Sequence, residues 1–378
     1  MKNFLKISPF LLLLFFNSCI TEFIPKTTRD QNILVVGGLI TDQPATYTIK
    51  LSKSLPLGST TYSKPYTGCL VSISDDLGST FDFKESSDGN YTSDSSVFRG
   101  APGHFYTLHI NTNSGSQSSI YESLPMEMKP VPPIDSVYYE RQVLSSSPDG
   151  TIVEEGCQVY LDTHDPTNTC KFYRWEYTET WEFHLPYNTP NRVCWVSNNS
   201  DAINIKNASI LSENIVDKHP INNISNLTDR LSQKYSILVH QYSMNDDEHQ
   251  YWEKVQNISD QVGGLYDMIP SAIPSNVYCK NDPGQPVLGF FSVSAESSKR
   301  IFIDGFFAGI KTPYNTQTCV DDTIFGNGPI RYENISLWVI ISHSLPPPSY
   351  MVITRQHSCY DCTLRGTNVM PDFWNKDK

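Results

Sequence analysis

Two cysteines close to the end of the chain, in the motif Cys359-Tyr360-Asp361-Cys362, have a spacing that can support chemistry. A CxxC pair is used as half of a zinc site or as a redox-active dithiol. A zinc site needs a second CxxC or a histidine pair, and neither follows here. A redox pair begins a helix, whereas this motif follows a predicted strand and precedes Gly366 and Pro371. The motif therefore predicts structural disulfides, formed within the pair or with distant partners such as Cys319 or Cys194.

Eight cysteines remain when Cys19 is set aside, and this even number is typical of a disulfide-bonded protein from an oxidising compartment. Their connectivity is not determined by the sequence, because eight thiols allow 105 pairings. All eight are candidates for disulfides: Cys69, Cys157, Cys170, Cys194, Cys279, Cys319, Cys359 and Cys362.

Only two segments concentrate potential metal ligands, at residues 162–165 (Asp-Thr-His-Asp) and 246–249 (Asp-Asp-Glu-His). The first precedes Pro166, so its aspartates are expected to stabilise a turn. The second is expected to cap a helix, with Asn245 as the N-cap and Glu248 completing a capping box. The chain has no glycine-rich phosphate loop and no nucleophile elbow. We therefore predict no catalytic residue, no metal and no cofactor, and no enzymatic activity.

The first nineteen residues indicate how the mature protein is held at a membrane. Lys2 and Lys6 precede an apolar run at residues 9–16, and the small residue Ser18 comes directly before Cys19. This order is typical of a lipoprotein signal peptide, and the run is too short to span a bilayer. We expect residues 1–18 to be removed, Cys19 to be lipidated, and residues 19–30 to form a tether. An ordinary secretory signal that is cleaved elsewhere is the alternative.

The formal charge of −12 excludes two classes of partner. Nucleic acid requires a basic surface, and the chain has no cluster of lysines or arginines. Docking onto anionic lipid headgroups requires the same positive charge. We therefore expect membrane association through the lipid anchor alone.

Alternating apolar and polar residues predict a mainly β protein. Residues 31–124 contain short strands about ten residues apart, which predicts an immunoglobulin-like β-sandwich. The prolines of residues 125–133 predict a semi-rigid linker. Residues 134–378 predict a larger β-rich domain, in which the aromatic residues of the strand at 172–183 are expected to be core. Its one clear helix is predicted near residues 246–262, ending at Gly263-Gly264.

Several motifs resemble those of one family. They are Gly89-Asn90-Tyr91, the segment 263–270 (Gly-Gly-Leu-Tyr-Asp-Met-Ile-Pro), the segment 288–294 (Leu-Gly-Phe-Phe-Ser-Val-Ser), and the closing Cys359-x-Asp361-Cys362 with 371–374 (Pro-Asp-Phe-Trp). The chain resembles the domain-of-unknown-function 4249 family of Bacteroidota lipoproteins. The resemblance implies an outer-membrane lipoprotein that is an accessory of a TonB-dependent receptor. It implies no catalytic residue.

Two functions follow as hypotheses. The first is a non-enzymatic, lipid-anchored protein of the outer membrane, facing the periplasm or the cell surface, that binds an unknown ligand or a TonB-dependent receptor. The alternative is a surface-anchored hydrolase of glycans or peptides that uses carboxylates of the C-terminal domain. The hydrolase requires a cleft with two acidic side chains about 5 to 10 Å apart beside exposed aromatic rings. An envelope protein with a purely structural role and no small ligand is a third possibility, which the sequence does not separate from the first.

Overall fold

The computed structural model describes residues 33–55, 63–112, 118–150, 152–187, 189–211, 213–260, 273–304, 310, 321–326, 339–344, 349–354 and 357–375. The predicted signal peptide, Cys19, Cys319 and Gly263-Gly264 lie outside these residues. Among the described residues, no helix has the length and apolar composition needed to cross a membrane.

The described chain is mainly β, with one α-helix, as the alternation of the sequence predicts. The helix is α1 (Asp246–Asp260), within the predicted range. The strands are β1 (Leu34–Ile40), β2 (Thr48–Lys53), β3 (Lys64–Pro65), β4 (Cys69–Asp75), β5 (Thr80–Ser87), β6 (Asn90–Thr92), β7 (Phe105–Thr112), β8 (Ser119–Ser123), β9 (Met126–Glu127), β10 (Ile134–Ser146), β11 (Ile152–His164), β12 (Phe172–His184), β13 (Val193–Asn199), β14 (Asn204–Asn207), β15 (Ile215–Ser225), β16 (Lys234–Met244), β17 (Val277–Cys279), β18 (Val287–Val293), β19 (Glu296–Asp304), β20 (Asp321–Gly326), β21 (Val339–Ser344) and β22 (Ser349–Thr354).

The first sheet joins the N-terminal strands in the order β17-β8-β7-β4-β5-β6-β2-β1-β18, with β3 beside β2 and β9 beside β7. Its two end strands lie close to each other, so the sheet curves almost into a barrel. The Asn276 side chain joins these ends by donating to the Phe291 carbonyl at 2.8 Å and accepting from the Phe291 amide at 2.9 Å. The immunoglobulin-like arrangement of these strands remains a prediction.

Strands β17 and β18 belong to this first sheet although the sequence places them within the predicted domain 134–378. β18 pairs in parallel with β1 over its whole length, and residues 277–295 contribute to the first core. The predicted linker is also attached to this core, because Met126 and Met128 are buried in it. The first core is therefore built from two separated parts of the chain.

The close pairing of β1 and β18 depends on Gly289. This residue has a φ of +85°, and a Cβ atom built on it would lie 1.9 Å from the Val36 carbonyl oxygen. Positive φ is strained for residues with a side chain, and the short distance excludes one in any case. Glycine is required here for the two parts of the chain to meet.

The second core lies between two sheets, with strand orders β10-β11-β15 and β13-β12-β16-β19. As predicted, the aromatic face of β12 is core, since Tyr173, Trp175 and Trp181 are buried in it, whereas Tyr177 is half-buried at its edge. A small fourth sheet has the order β20-β22-β21.

Helix α1 lies between the two cores. Its Tyr251 packs against the first core, and the Gln256 side chain donates to the Ile203 carbonyl of the second region at 2.8 Å. Strand β18 of the first sheet is followed directly by β19 of the sheet β13-β12-β16-β19. The chain therefore also crosses between these two sheets next to α1. The junction of the cores is thus formed by α1, β12, β1 and β18.

Candidate functional site

Strand β12 carries an arginine and a glutamate on the face opposite to its aromatic residues. Side chains alternate between the two faces of a strand, so Arg174 and Glu176 are neighbours on the face toward α1. Arg174 is only 5 % exposed, and its Nη1 donates to Glu176 Oε1 in an ion pair. Its guanidinium carbon lies 4.9 Å from the ring centre of Tyr242 and 4.8 Å from that of Trp252. The Nε atom of Arg174 is buried and has no hydrogen-bond partner.

Helix α1 brings a second carboxyl group to the same place. Asn245 caps the helix as predicted, because its Oδ1 accepts from the Glu248 amide at 3.0 Å. The predicted capping box is wrong in its other half, since the Glu248 side chain is completely buried at the junction of the cores. Its Oε1 accepts from Trp252 Nε1 at 3.4 Å, and its Oε2 has no hydrogen-bond partner.

Arg174, Glu176 and Trp252 border a cavity of about 390 Å³, which we call the interface pocket. A volume of this size is typical of small-molecule sites. The lining comes from both cores and from α1: Val36, Gly37, Gly38 and Leu39 of β1, Thr48 and Lys50 of β2, Arg174 and Glu176 of β12, Tyr251 and Trp252 of α1, and Phe290 and Ser292 of β18.

The electrostatics of the pocket are dominated by the burial of charged groups. Burial raises the pKa of the Glu248 carboxyl to about 7, although the Arg174 charge and the polar side chains of Ser292 and Trp252 oppose this rise. The negative charge of Glu176 also raises the pKa of Glu248. A carboxyl group with such a pKa exchanges a proton near neutral pH, which is a property shared by ligand sites and acid–base catalysts.

The predicted disulfide function of the C-terminal motif is confirmed for Cys362, which bonds to Cys194 across 168 residues of sequence. Cys359 is also disulfide-bonded, so the two cysteines of the motif do not close on each other. The backbone next to this bond is fixed as well, because the Trp195 and Thr367 amides each donate to the other's carbonyl at 2.9 Å. The C-terminal residues are thereby attached to β13.

Four of the other disulfide candidates are buried free thiols in this structure: Cys69, Cys157, Cys170 and Cys279. Burial raises the pKa of Cys157 to about 11 and that of Cys170 to about 12. Thiols with such values stay protonated at neutral pH and are poor nucleophiles. These cysteines behave as small apolar core residues, which is a common use of a free cysteine.

Of the predicted turn aspartates, Asp165 has this role, whereas Asp162 lies in β11 and accepts from the Ser136 hydroxyl and the Lys218 amide. Asp165 stabilises its turn by accepting from the amides of Thr167, Thr169 and Cys170 at 2.7 to 2.9 Å. His249 is buried and its ring stacks on Phe172 at 4.6 Å between centres. Within the described part of the chain, no three histidine, cysteine or acidic side chains form a group suited to a metal ion.

Sequence reasoning missed the pocket because its residues come from distant segments. The sequence did contain a signal for Arg174, because this residue is a cation on the polar face of an otherwise aromatic strand. Another lay in Glu248 and Trp252, which are four residues apart and therefore lie on one face of a helix. Neither signal shows that Gly37 and Phe290 approach these residues, because only the pairing of β1 with β18 places them there.

The fold and this site define a β-rich protein with two cores, in which a small cavity with a buried cation lies at the junction. The chain belongs to the family described as a domain of unknown function (DUF4249), whose model matches residues 20–300. The match includes every strand that lines the interface pocket and α1, whereas the disulfide-bonded Cys362 lies beyond it. No curated protein matches the chain.

Proposed function

We propose that this chain is a non-catalytic, lipid-anchored protein of the outer membrane that binds a small ligand in the interface pocket. In this function it is an accessory of a TonB-dependent receptor, to which it presents or from which it accepts the ligand. The observation that carries the proposal is the interface pocket itself, with the buried Arg174 in its lining and no hydrogen-bond partner for Nε. An unpaired buried donor is costly, and ligand sites are places where such a cost is retained.

The proposed location rests on two further features. The order of charge, apolar run, Ser18 and Cys19 is that of a lipoprotein signal, so we infer a lipid on Cys19 after removal of residues 1–18. The disulfide between Cys194 and Cys362 supports an oxidising compartment, because such bonds are rare in the cytosol. Residues 19–30 would then separate the fold from the membrane.

Metabolic labelling with a palmitate analogue tests the anchor. The wild-type chain should incorporate the label and fractionate with outer membranes, whereas Cys19→Ala should lose both properties. Cys69→Ala is the matched control, since Cys69 is a buried thiol of the folded region. Equal labelling of wild type and Cys19→Ala would contradict lipidation at this residue.

Affinity purification tests the proposed partner. The chain should be recovered with a TonB-dependent receptor, identified by mass spectrometry after crosslinking on intact cells and solubilisation in mild detergent. Protease shaving of the same cells distinguishes the periplasmic from the surface-facing orientation. Recovery of the lipoprotein alone, at stoichiometric purity and after crosslinking, would contradict the accessory function.

A matched variant tests whether the pocket is a ligand site. Gly37 lines the pocket, and a Cβ atom built on it would have no neighbour within 4 Å. Gly37→Leu should therefore fill the cavity without disturbing the fold. Native mass spectrometry of protein from its own envelope should detect a small molecule on wild type and none on the variant. The same bound mass on both chains would place the ligand elsewhere.

The second candidate function is a surface-anchored hydrolase of glycans or peptides. It is favoured by the raised pKa of Glu248 and by the presence of Glu176 and the Trp252 ring in the same region. Against it, the pocket lining includes Glu176 but not the completely buried Glu248, so a bound substrate would meet only one carboxyl group. Turnover of a glycan or peptide by wild type, lost in Glu176→Gln and kept in the exposed Glu253→Gln, would favour the hydrolase over the binding protein.

A further inference from the structure

The guanidinium of Arg174 is held in place with one donor unused. Glu176 occupies Nη1, and the rings of Tyr242 and Trp252 lie against the group. Nε has no partner, and the residue is 5 % exposed, so water does not replace the missing acceptor freely. A buried donor without an acceptor destabilises a protein. A ligand acceptor would remove this cost once the guanidinium turns Nε toward the pocket, whose lining includes Arg174.

The charge of the pocket indicates the sign of that ligand. The lining contains two cations, Arg174 and Lys50, and a single carboxylate, Glu176, whose side chain is 42 % exposed and therefore well screened by water. The chain as a whole carries a formal charge of −12. Arg174 and Glu176 balance each other, so Lys50 leaves the lining with one positive charge in excess while the Glu248 carboxyl beside Arg174 is protonated. This excess favours an anionic ligand group, and arginine donors pair well with carboxylates.

The rings of the pocket indicate the shape of the ligand. Tyr251 lies 4.7 Å from Phe290 and 5.4 Å from Trp252 between ring centres, so the three rings adjoin and form an aromatic wall in which Trp252 stands at 82° to Tyr251. Gly37 and Gly38 of β1 add backbone without side chains to the same lining. Aromatic side chains stack well on flat rings, and a glycine backbone leaves room for one.

We propose that the interface pocket binds a small aromatic carboxylate, with its carboxylate on Arg174 and its ring against the wall of Tyr251, Trp252 and Phe290. This inference rests on the proposed function as a ligand-binding protein and names the chemical class of the ligand. Lys50, which is exposed, attracts the carboxylate from the rim. Glu176 holds Nη1 and leaves Nε as the donor without a partner.

Three probes with one ring system test the charge: 2-naphthoate, 2-naphthalenemethanol and 2-naphthylmethylamine. Each is titrated calorimetrically into the full chain in a non-ionic detergent, and the same titration into Gly37→Leu measures binding to the micelle and to other surfaces. After subtraction, naphthoate should bind about tenfold more tightly than the alcohol, since its charged carboxylate is a stronger acceptor for the guanidinium than the neutral hydroxyl. The amine should bind most weakly.

Two substitutions assign the preference to the named cations. Arg174→Gln should reduce the preference for naphthoate over the alcohol from about tenfold to about threefold, the share that Lys50 supplies, while the ring still binds. Because Arg174 is buried and this variant can fail to fold, Lys50→Gln provides an exposed second position, where the affinity for naphthoate should fall about threefold and become less sensitive to salt. Lys254→Gln, on the exposed side of α1, is the control and should change neither affinity.

The outcomes separate this inference from the proposed function. If the alcohol or the amine binds as tightly as naphthoate and both are lost in Gly37→Leu, the pocket is a ligand site but the carboxylate class is wrong. If naphthoate binds wild type and Gly37→Leu equally, the inference is overturned, and the accessory function then depends on receptor co-purification alone.

Discussion

The buried carboxyl group of Glu248 should make this protein less stable as the pH rises through neutrality. A variant that cannot ionise at this position should lack that pH dependence. Its pKa is about 7 in the folded chain against an ordinary value of 4.5, which corresponds to about 3 kcal/mol. Because the folded state holds the proton more tightly, this contribution is fully present below pH 4.5. It is lost as the pH rises through 7.

Glu248→Gln keeps the shape of the side chain and an oxygen that accepts from Trp252, but it cannot ionise. Below pH 4.5 the variant and the wild type should have similar free energies of unfolding. Above pH 7 the variant should be more stable by up to about 3 kcal/mol, because the wild type then carries a buried charge. The groups that face this carboxyl are Arg174 and Glu176 of β12, Ser292 of β18 and Trp252 of α1 itself, and their effects are included in the pKa.

The assay is urea unfolding between pH 4 and 8, followed by far-UV circular dichroism and tryptophan fluorescence in parallel. The difference between wild type and variant is the informative quantity, because His219 acts in the opposite direction. Burial lowers the pKa of His219 to about 4, so its contribution is lost as the pH falls from 6.5 to 4. Glu253→Gln makes the same chemical change at an exposed position of α1 and should show no such difference. A pH-independent difference for Glu248→Gln, or a wild type that is more stable at pH 8, would refute the argument.

Three further predictions concern the fold. Gly289→Ala should destabilise the protein by about 3 kcal/mol or more in chemical unfolding, because a Cβ atom would overlap the Val36 carbonyl at positive φ; Gly284→Ala, at an ordinary distance from its neighbours, should be nearly neutral. Cys362→Ser should cost about 5 kcal/mol in the loop-entropy description for a separation of 168 residues, and reducing agent should lower the melting temperature of wild type but change the variant less. Asp165→Ala should cost about 2 kcal/mol in urea unfolding through the loss of its hydrogen bonds to three turn amides, and a loss of less than 0.5 kcal/mol would show that water replaces them.

Local patterns in the sequence were sufficient to predict most strands and the helix, and also where several of them begin or end. Alternation in β4 places Cys69, Val71 and Ile73 inside and Leu70 outside. The start of α1 follows from the Asn245 cap. These predictions succeed because strand periodicity and capping depend on neighbours within a few residues.

The same local reasoning failed for the capping box at Glu248. An isolated helix would use this carboxyl for its own N-terminus, but in the folded protein the side chain is completely buried at the junction of the two cores. The packing of α1 between the cores outweighs a capping hydrogen bond of about 1 kcal/mol. Tertiary packing therefore overrode the local preference at Glu248.

The sequence by itself determined the β-rich class, the helix and the use of the C-terminal cysteines in disulfide bonds, because each depends on the order of nearby residues. Only the tertiary structure decided that residues 277–295 return to the first sheet and that Cys362 bonds to Cys194. It also decided that Arg174 meets Trp252 at a cavity. The physical reason is that these contacts join segments separated by tens to hundreds of residues, whose approach is fixed by the burial of two cores and not by any local pattern.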